Sequence, residues 1–223
     1  MALALGELIE PATTALLAME LKRVTVGDLA GSDDGAPGSA LAAVAADTNL
    51  VPRVAALARA ARAAGVRVVH CTAGYREDGV GSSTNAPLLA AAYKHRHRLL
   101  LGSPGAAPVL ELGPEPEDLW SVRTHGVAPF IGTDLDPMLR NLGVRNVVLV
   151  GGSVNVGIVG AAVEAVDFGY RVVIPRDGVI GHPVDYAEGV IDNTLALLAR
   201  ISTIDEIVDT WSAARVTILG QEA

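Results

Sequence analysis

"VVLVGGSVNVGIVGAAVEA", residues 147–165, decides how the rest of the chain is read. Four consecutive apolar residues, Val147 to Val150, run into Gly151 and Gly152, and after a few polar positions small and apolar residues recur at helical spacing. A continuous apolar run suits a strand buried on both faces, so the stretch predicts a strand, a tight turn and a helix. In α/β proteins such turns hold reacting groups. Between Gly151 and Gly160, however, the only nucleophilic side chain is Ser153.

The same pattern repeats on either side. Strands are predicted at 13–19 (TTALLAM), 66–72 (VRVVHCT), 119–122 (LWSV), in RNVVLVGG and in YRVVIPRDG. Helices are predicted at 49–65, at 88–100 (basic on one side), at 133–143 with Thr133 as cap and Gly143 as stop, in NVGIVGAAVEAVDFG and in VDYAEGVIDNTLALLAR. ISTIDEIVDTW closes the chain with a short strand and a helix, while 27–39, 73–87 and 102–118 read as loops. Alternating apolar strands and helices define an α/β fold. One three-layer αβα domain over 1–223, doubly wound around a mainly parallel sheet, is expected. Its site should lie at the carboxyl ends of the strands: Met19-Glu20, His70-Cys71-Thr72, Val122-Arg123-Thr124-His125, Val150-Gly151-Gly152-Ser153 and Pro175-Arg176-Asp177.

Composition narrows the function. The 223 residues carry a formal net charge of −8, which argues against nucleic acid as a partner. A single cysteine, Cys71, excludes a disulfide framework within the chain and argues against a cysteine-based zinc site. The start of the chain is a poor signal peptide, with Glu7 and Glu10 interrupting its apolar residues, and no apolar stretch approaches the roughly 20 residues needed to span a membrane. A cytoplasmic protein is expected, with a small molecule as partner and no membrane.

Familiar motifs fail on spacing. Gly151, Gly152, Gly157 and Gly160 do not form G-x-G-x-x-G. Gly152 to Gly157 has P-loop spacing, but Ile158 stands where the lysine belongs. No G-x-S-x-G surrounds Ser153. None of His70, His95, His97, His125 and His182 forms an H-E-x-x-H pair, and "HRH" at 95–97 reads as a solvated face. No cofactor and no metal are expected.

Two segments carry a resemblance. "TALLAMELKR" is similar to the first strand of the isochorismatase-like hydrolases, an apolar run followed by Asp-Met-Gln. "FIGTDLDPMLRNLGVRNVVLVGGSVNVGIVGAAVEAVDFGYRVVIPRDGV" resembles that family's second half almost without gaps, and the likeness covers about residues 10–210. It implies one αβα domain, a small-molecule substrate and a homo-oligomer, dimer or tetramer. The family's cysteine hydrolases carry Asp, Lys and Cys, the thiol being activated by the carboxylate and the oxyanion held by turn N–H groups. Here Glu20 occupies the Asp position, Gly157 the Cys position, and Arg123 or Thr124 the Lys position. Isochorismatases themselves also have glycine at the cysteine position and protonate an enol ether with a carboxylic acid.

Three readings follow from the resemblance. In the first, the chain is a hydrolase without a cysteine nucleophile. Glu20 is then the general acid, its pKa raised by burial; Arg123 binds a substrate carboxylate and His125 carries protons. Gly152, Ser153, Asn155 (which also caps the helix), Gly157 and the loop residue Arg76 line the substrate, with Asn85 on the same loop. In the second, Cys71 is the nucleophile of an amide hydrolase. In the third, the chain keeps the fold and binds a ligand without turnover, Glu20 and Arg123 forming a structural pair.

Overall fold

The computed structural model describes residues 3–31 and 39–221. The loop expected at 27–39 falls, over 32–38, outside them. Seven strands form one sheet: β1 (Thr14–Met19), β2 (Arg67–Ala73), β3 (Leu119–Arg123), β4 (Asn146–Gly152), β5 (Arg171–Pro175), β6 (Val179–Ile180) and β7 (Arg200–Ser202). Their order is β3-β2-β1-β4-β5-β7, and β6 pairs with the end of β4. Every strand pairing is parallel. Parallel pairing needs helical crossovers on the faces, which is why β1 and β4 are buried at every position.

The period of two sorts these residues between two cores. Leu16, Ala18, Val148 and Val150 face one layer, formed with the helices Leu50–Ala63 and Ile204–Gln221. Ala15, Leu17, Met19, Val147 and Leu149 face the other, formed with Leu135–Asn141, Val159–Asp167 and Val184–Val190. The result is the expected doubly wound αβα sandwich. Strand order reverses between β1 and β4, so the crevice at a topological switch point opens beyond Met19 and Gly152. At the other edge, a polar cluster ties β2 to the segment before β3. A ring nitrogen of His70 lies 2.9 Å from Asp118 Oδ2, and Arg62 donates to both oxygens of Asp118 at 3.0 and 2.7 Å. Arg176 and Asp177, at the end of β5, make structural contacts: Arg176 pairs with Glu188 and Asp192, and Asp177 accepts the Ile204 N–H at 2.9 Å.

Several elements differ from expectation. A helix at Ser39–Asp47 and the two-residue β6 have no counterpart in the sequence reading. The basic helix stops at Lys94 and continues as a separate turn at Arg96–Arg98. The helix expected at 133–143 spans Leu135–Asn141, where Thr133 Oγ1 accepts the Leu135 N–H at 3.2 Å although Asp134 is the N-cap. The helix after β4 opens with a wider π turn at Val154–Ile158, and the long one after β6 contains another at Ile191–Leu195. Such turns cluster at functional sites, and the first lies at the crevice. Among the described residues no single helix is long and apolar enough to cross a membrane.

Candidate active site

The site is built by a reversal of the chain after β1. Glu20 has left-handed backbone geometry, φ 55°, at a cost of roughly 1–2 kcal/mol for a residue with a Cβ. Its N–H still donates to Cys71 O at 3.0 Å, but its carbonyl already accepts the Lys22 N–H at 2.8 Å. Strand alternation ends there. Leu21 turns into the first core, and Lys22, only 3% exposed, swings its ammonium back to Glu20. Room for this reversal comes from Gly151 on β4. A Cβ on Gly151 would lie 2.1 Å from Met19 O, and its φ of 109° suits only glycine.

Arg123 closes the arrangement from β3. Ser121 and Arg123 are buried and Trp120 and Val122 exposed, so alternation sends the guanidinium inward. Its Nη1 donates to Glu20 Oε1 at 2.7 Å, while Lys22 Nζ lies 2.6 Å from Glu20 Oε2 and donates to Ala73 O at 3.3 Å. Arg123, and not Thr124, thereby supplies a cation to the Glu20 carboxylate. Two cations hold one carboxylate, all three largely buried, leaving one net positive charge.

These groups border a cavity of about 240 Å³. Thr124, His125, Gly152, Ser153, Val156 and Gly157 form one wall, and Tyr75 with leucines 41, 88, 89 and 99 forms an apolar one. Ser153, Val156 and Gly157 belong to the start of the helix, where the helix dipole favours negative charge. A Cβ on Gly157 would meet nothing closer than Gly152 O at 3.4 Å, so a side chain's worth of space stands open there.

Burial alone was expected to raise the Glu20 pKa; burial does push the carboxyl up, but the charges and hydrogen bonds of Arg123 and Lys22 together outweigh it and bring it down to about 2. Arg76 lies outside the cavity lining. Its side chain is 59% exposed and forks onto Asp78 at 3.0 and 2.7 Å, while Asn85 accepts from Ser83 instead of facing the cavity. Asn155 neither caps the helix nor lines the cavity: its Nδ2 donates to His182 O at 2.7 Å, fixing the neighbouring loop. Cys71 is fully buried below the site. Burial pushes its thiol up to about 12, with Arg123 offsetting only part. His125 lines the cavity but is exposed, its ring lying over Gly132.

Lys22 is the residue the sequence reading missed. Its spacing of two from Glu20 was the available signal, but the reversal at Glu20, not strand alternation, unites the pair. The leucine wall comes from distant segments and has no local signature.

Two outcomes follow. Arg76→Ala is expected to leave KM within about twofold, because its side chain reaches only Asp78. In the native protein Cys71 is expected to resist a thiol reagent such as Ellman's, and to react once the chain is denatured.

The fold and cavity define a three-layer α/β protein with a charged small-molecule crevice at the switch point. The chain belongs to the isochorismatase family of hydrolases: the isochorismatase domain matches residues 14–206. It is similar to the ureidoacrylate amidohydrolase RutB of Rhizobium rhizogenes, with 27% identity over 226 residues, covering 94% of this chain and 87% of the relative. An isochorismatase family protein from Desulfovibrio vulgaris superposes with a TM-score of 0.73 at 27% identity, covering 90% of this chain and 98% of that one. A cysteine hydrolase from Pseudomonas syringae pv. phaseolicola shares the fold, with a TM-score of 0.74 at 21% identity over 92% of this chain and 94% of that one.

Proposed function

We propose that the chain is a hydrolase that works on a small carboxylate without a cysteine nucleophile, with Glu20 as its proton-transfer group. The observation that carries this reading is the Glu20 carboxylate, gripped by Lys22 and Arg123 at the edge of an open cavity and backed by the empty space at Gly157. The uncompensated positive charge attracts an anionic substrate, and the leucine wall suits an apolar body next to the carboxylate. An ionised Glu20 takes a proton; it does not supply one. The proposed step is abstraction of a proton from a water in the Gly157 space as the water oxygen bonds to a substrate acyl carbon; collapse of the tetrahedral adduct breaks the acyl–nitrogen or acyl–oxygen bond, and the Glu20 carboxyl returns the proton to the leaving atom. The start of the helix then faces the developing oxyanion.

Acid catalysis on an enol ether needs a protonated Glu20. A substrate carboxylate competing for Arg123 would weaken its hold on Glu20 and raise the carboxyl's pKa, which is the route by which this chemistry becomes available. A second reading, a ligand binder without turnover, draws on the fact that each Glu20 oxygen already has a cationic partner. A panel of ureido acids, including ureidoacrylate, and carboxylated enol ethers, including isochorismate, tests these readings. Hydrolysis supports the proposal; binding without hydrolysis across the panel supports the second reading.

Gly157→Ala gives a sharper test. The methyl group fits, and replacing glycine within a helix stabilises by roughly 0.5–1 kcal/mol. The same methyl takes the place of the attacking water. The variant is therefore expected to melt slightly higher and to turn over about tenfold more slowly or worse, measured by thermal denaturation and steady-state rates.

A further inference from the structure

A polar atom interrupts the apolar wall of the cavity. Tyr75 is only 8% exposed, yet its hydroxyl has no hydrogen-bond partner among the described residues. A largely buried phenol normally finds one. The hydroxyls of Ser82, Ser103 and Ser121 are also unpaired, but they are sealed in; that of Tyr75 is not, and it opens into the cavity that its side chain lines.

The backbone and the ring of Tyr75 are both held. β2 ends beside the charged groups: Ala73 O accepts from Lys22 Nζ at 3.3 Å, and the Gly74 N–H donates to Arg123 O at 3.0 Å. Tyr75 then pairs with the segment after the basic helix, its N–H donating to Leu99 O and its carbonyl accepting the Leu101 N–H, both at 2.8 Å. Its ring stands edge-on to Tyr93, with 6.0 Å between centres and 78° between planes. The Arg96 guanidinium in turn covers the Tyr93 ring at 4.4 Å. None of these contacts uses the Tyr75 hydroxyl.

Another unused donor belongs to the same site. Arg123 gives Nη1 to Glu20 at 2.7 Å and Nε to Gly126 O at 3.4 Å, and its Nη2 has no partner among the described residues. Burial pushes the Tyr75 phenol's pKa up, so the hydroxyl keeps its proton at neutral pH; Arg123 offsets part of that shift and Glu20 adds to it. The hydroxyl therefore lies within the field of both charged groups.

We propose that Tyr75 is a substrate-binding residue whose hydroxyl donates to the substrate carboxylate beside Arg123. The proposal deepens the function given above and rests on its reading of the substrate as a small carboxylate. A carboxylate has two accepting oxygens, so one can take the phenol and the other the free Nη2. A hydrogen bond to an ionised acceptor is stronger than one to a neutral group, so the hydroxyl favours an acid over an uncharged ligand of the same shape. Leucines 41, 88, 89 and 99 then receive the apolar body.

Isothermal titration with isovalerate and with isoamyl alcohol, which shares its carbon skeleton, tests this without requiring turnover. Tyr75→Phe removes only the hydroxyl, which has no protein partner, so the melting temperature is expected to stay at the wild-type value. Wild type is expected to bind the acid more tightly than the alcohol. In Tyr75→Phe the acid is expected to bind about tenfold more weakly or worse, and the alcohol to lose less. Undiminished acid binding in the variant, an equal loss for acid and alcohol, a lowered melting temperature, or no binding of the acid by wild type would overturn the proposal. Should the acid bind as expected while no ureido acid or enol ether is hydrolysed, the hydrolase reading fails and the role of Tyr75 in binding does not.

Discussion

Glu20→Gln is expected to lower turnover by about two to four orders of magnitude while leaving a folded protein of reduced stability. Removing a positioned proton-transfer group typically costs a factor in that range. The structural effect has a different origin. An amide offers one acceptor oxygen where the carboxylate offers two, so it can accept from only one of Arg123 and Lys22 and turns an NH2 towards the other. It also carries no charge, and their side chains are only 8% and 4% exposed. Breaking a buried ion cluster by removing one partner costs about 3–5 kcal/mol, because the remaining charges are left uncompensated. The pH dependence gives a signature. In the folded protein the Glu20 carboxyl lies at about 2, below its ordinary 4.5. A depressed carboxyl stabilises the fold fully above its unfolded value, and that contribution is lost as pH falls through the folded value. The melting temperatures of wild type and Glu20→Gln should therefore lie far apart at neutral pH and converge between about pH 4.5 and 2. A constant gap would show that Glu20 contributes shape and not charge.

Gly151→Ala is expected to be more damaging still, with a loss above about 4 kcal/mol or failure to fold. Its Cβ would sit 2.1 Å from Met19 O, 3.0 Å from Met19 C and 3.1 Å from Leu21 Cγ, at a φ of 109°. The nearest atoms are backbone, and the register pairing Met19 with Gly151 holds both strands in place, so neither can yield. The variant strikes the point where β1 and β4 part and Glu20 turns back, so site and core fail together. Urea denaturation measures this directly. A midpoint within experimental error of wild type would contradict the packing described at the switch point. The contrast with Gly157→Ala, six residues on in the same stretch, separates a glycine required by sterics from one that leaves room for chemistry.

The sheet was legible because its strands are fully buried: the runs at 14–19 and 146–152 have no polar face that could be mistaken for a helix. β6 was not, since two residues carry no periodicity. The site was legible where a charged residue stands directly at a strand end, as Glu20 and Arg123 do. It was not where the backbone departs from strand geometry. The left-handed turn at Glu20 is invisible in the residue types, so Lys22 went unread, and with it the second cation that reverses the expected pKa shift. Arg76 and Asn155 misled in the opposite way. Each lies in a segment next to the cavity, but Asp78 satisfies the first and a backbone carbonyl the second.

Under the proposed function, proton transfer by Glu20, and not attack by a thiol, drives hydrolysis. Turnover of the best substrate from the carboxylate panel, compared between Cys71→Ala and Glu20→Gln, tests it most directly. Cys71→Ala is expected to keep a wild-type rate and Glu20→Gln to lose at least about a hundredfold. A dead Cys71→Ala, or a fully active Glu20→Gln, would contradict it.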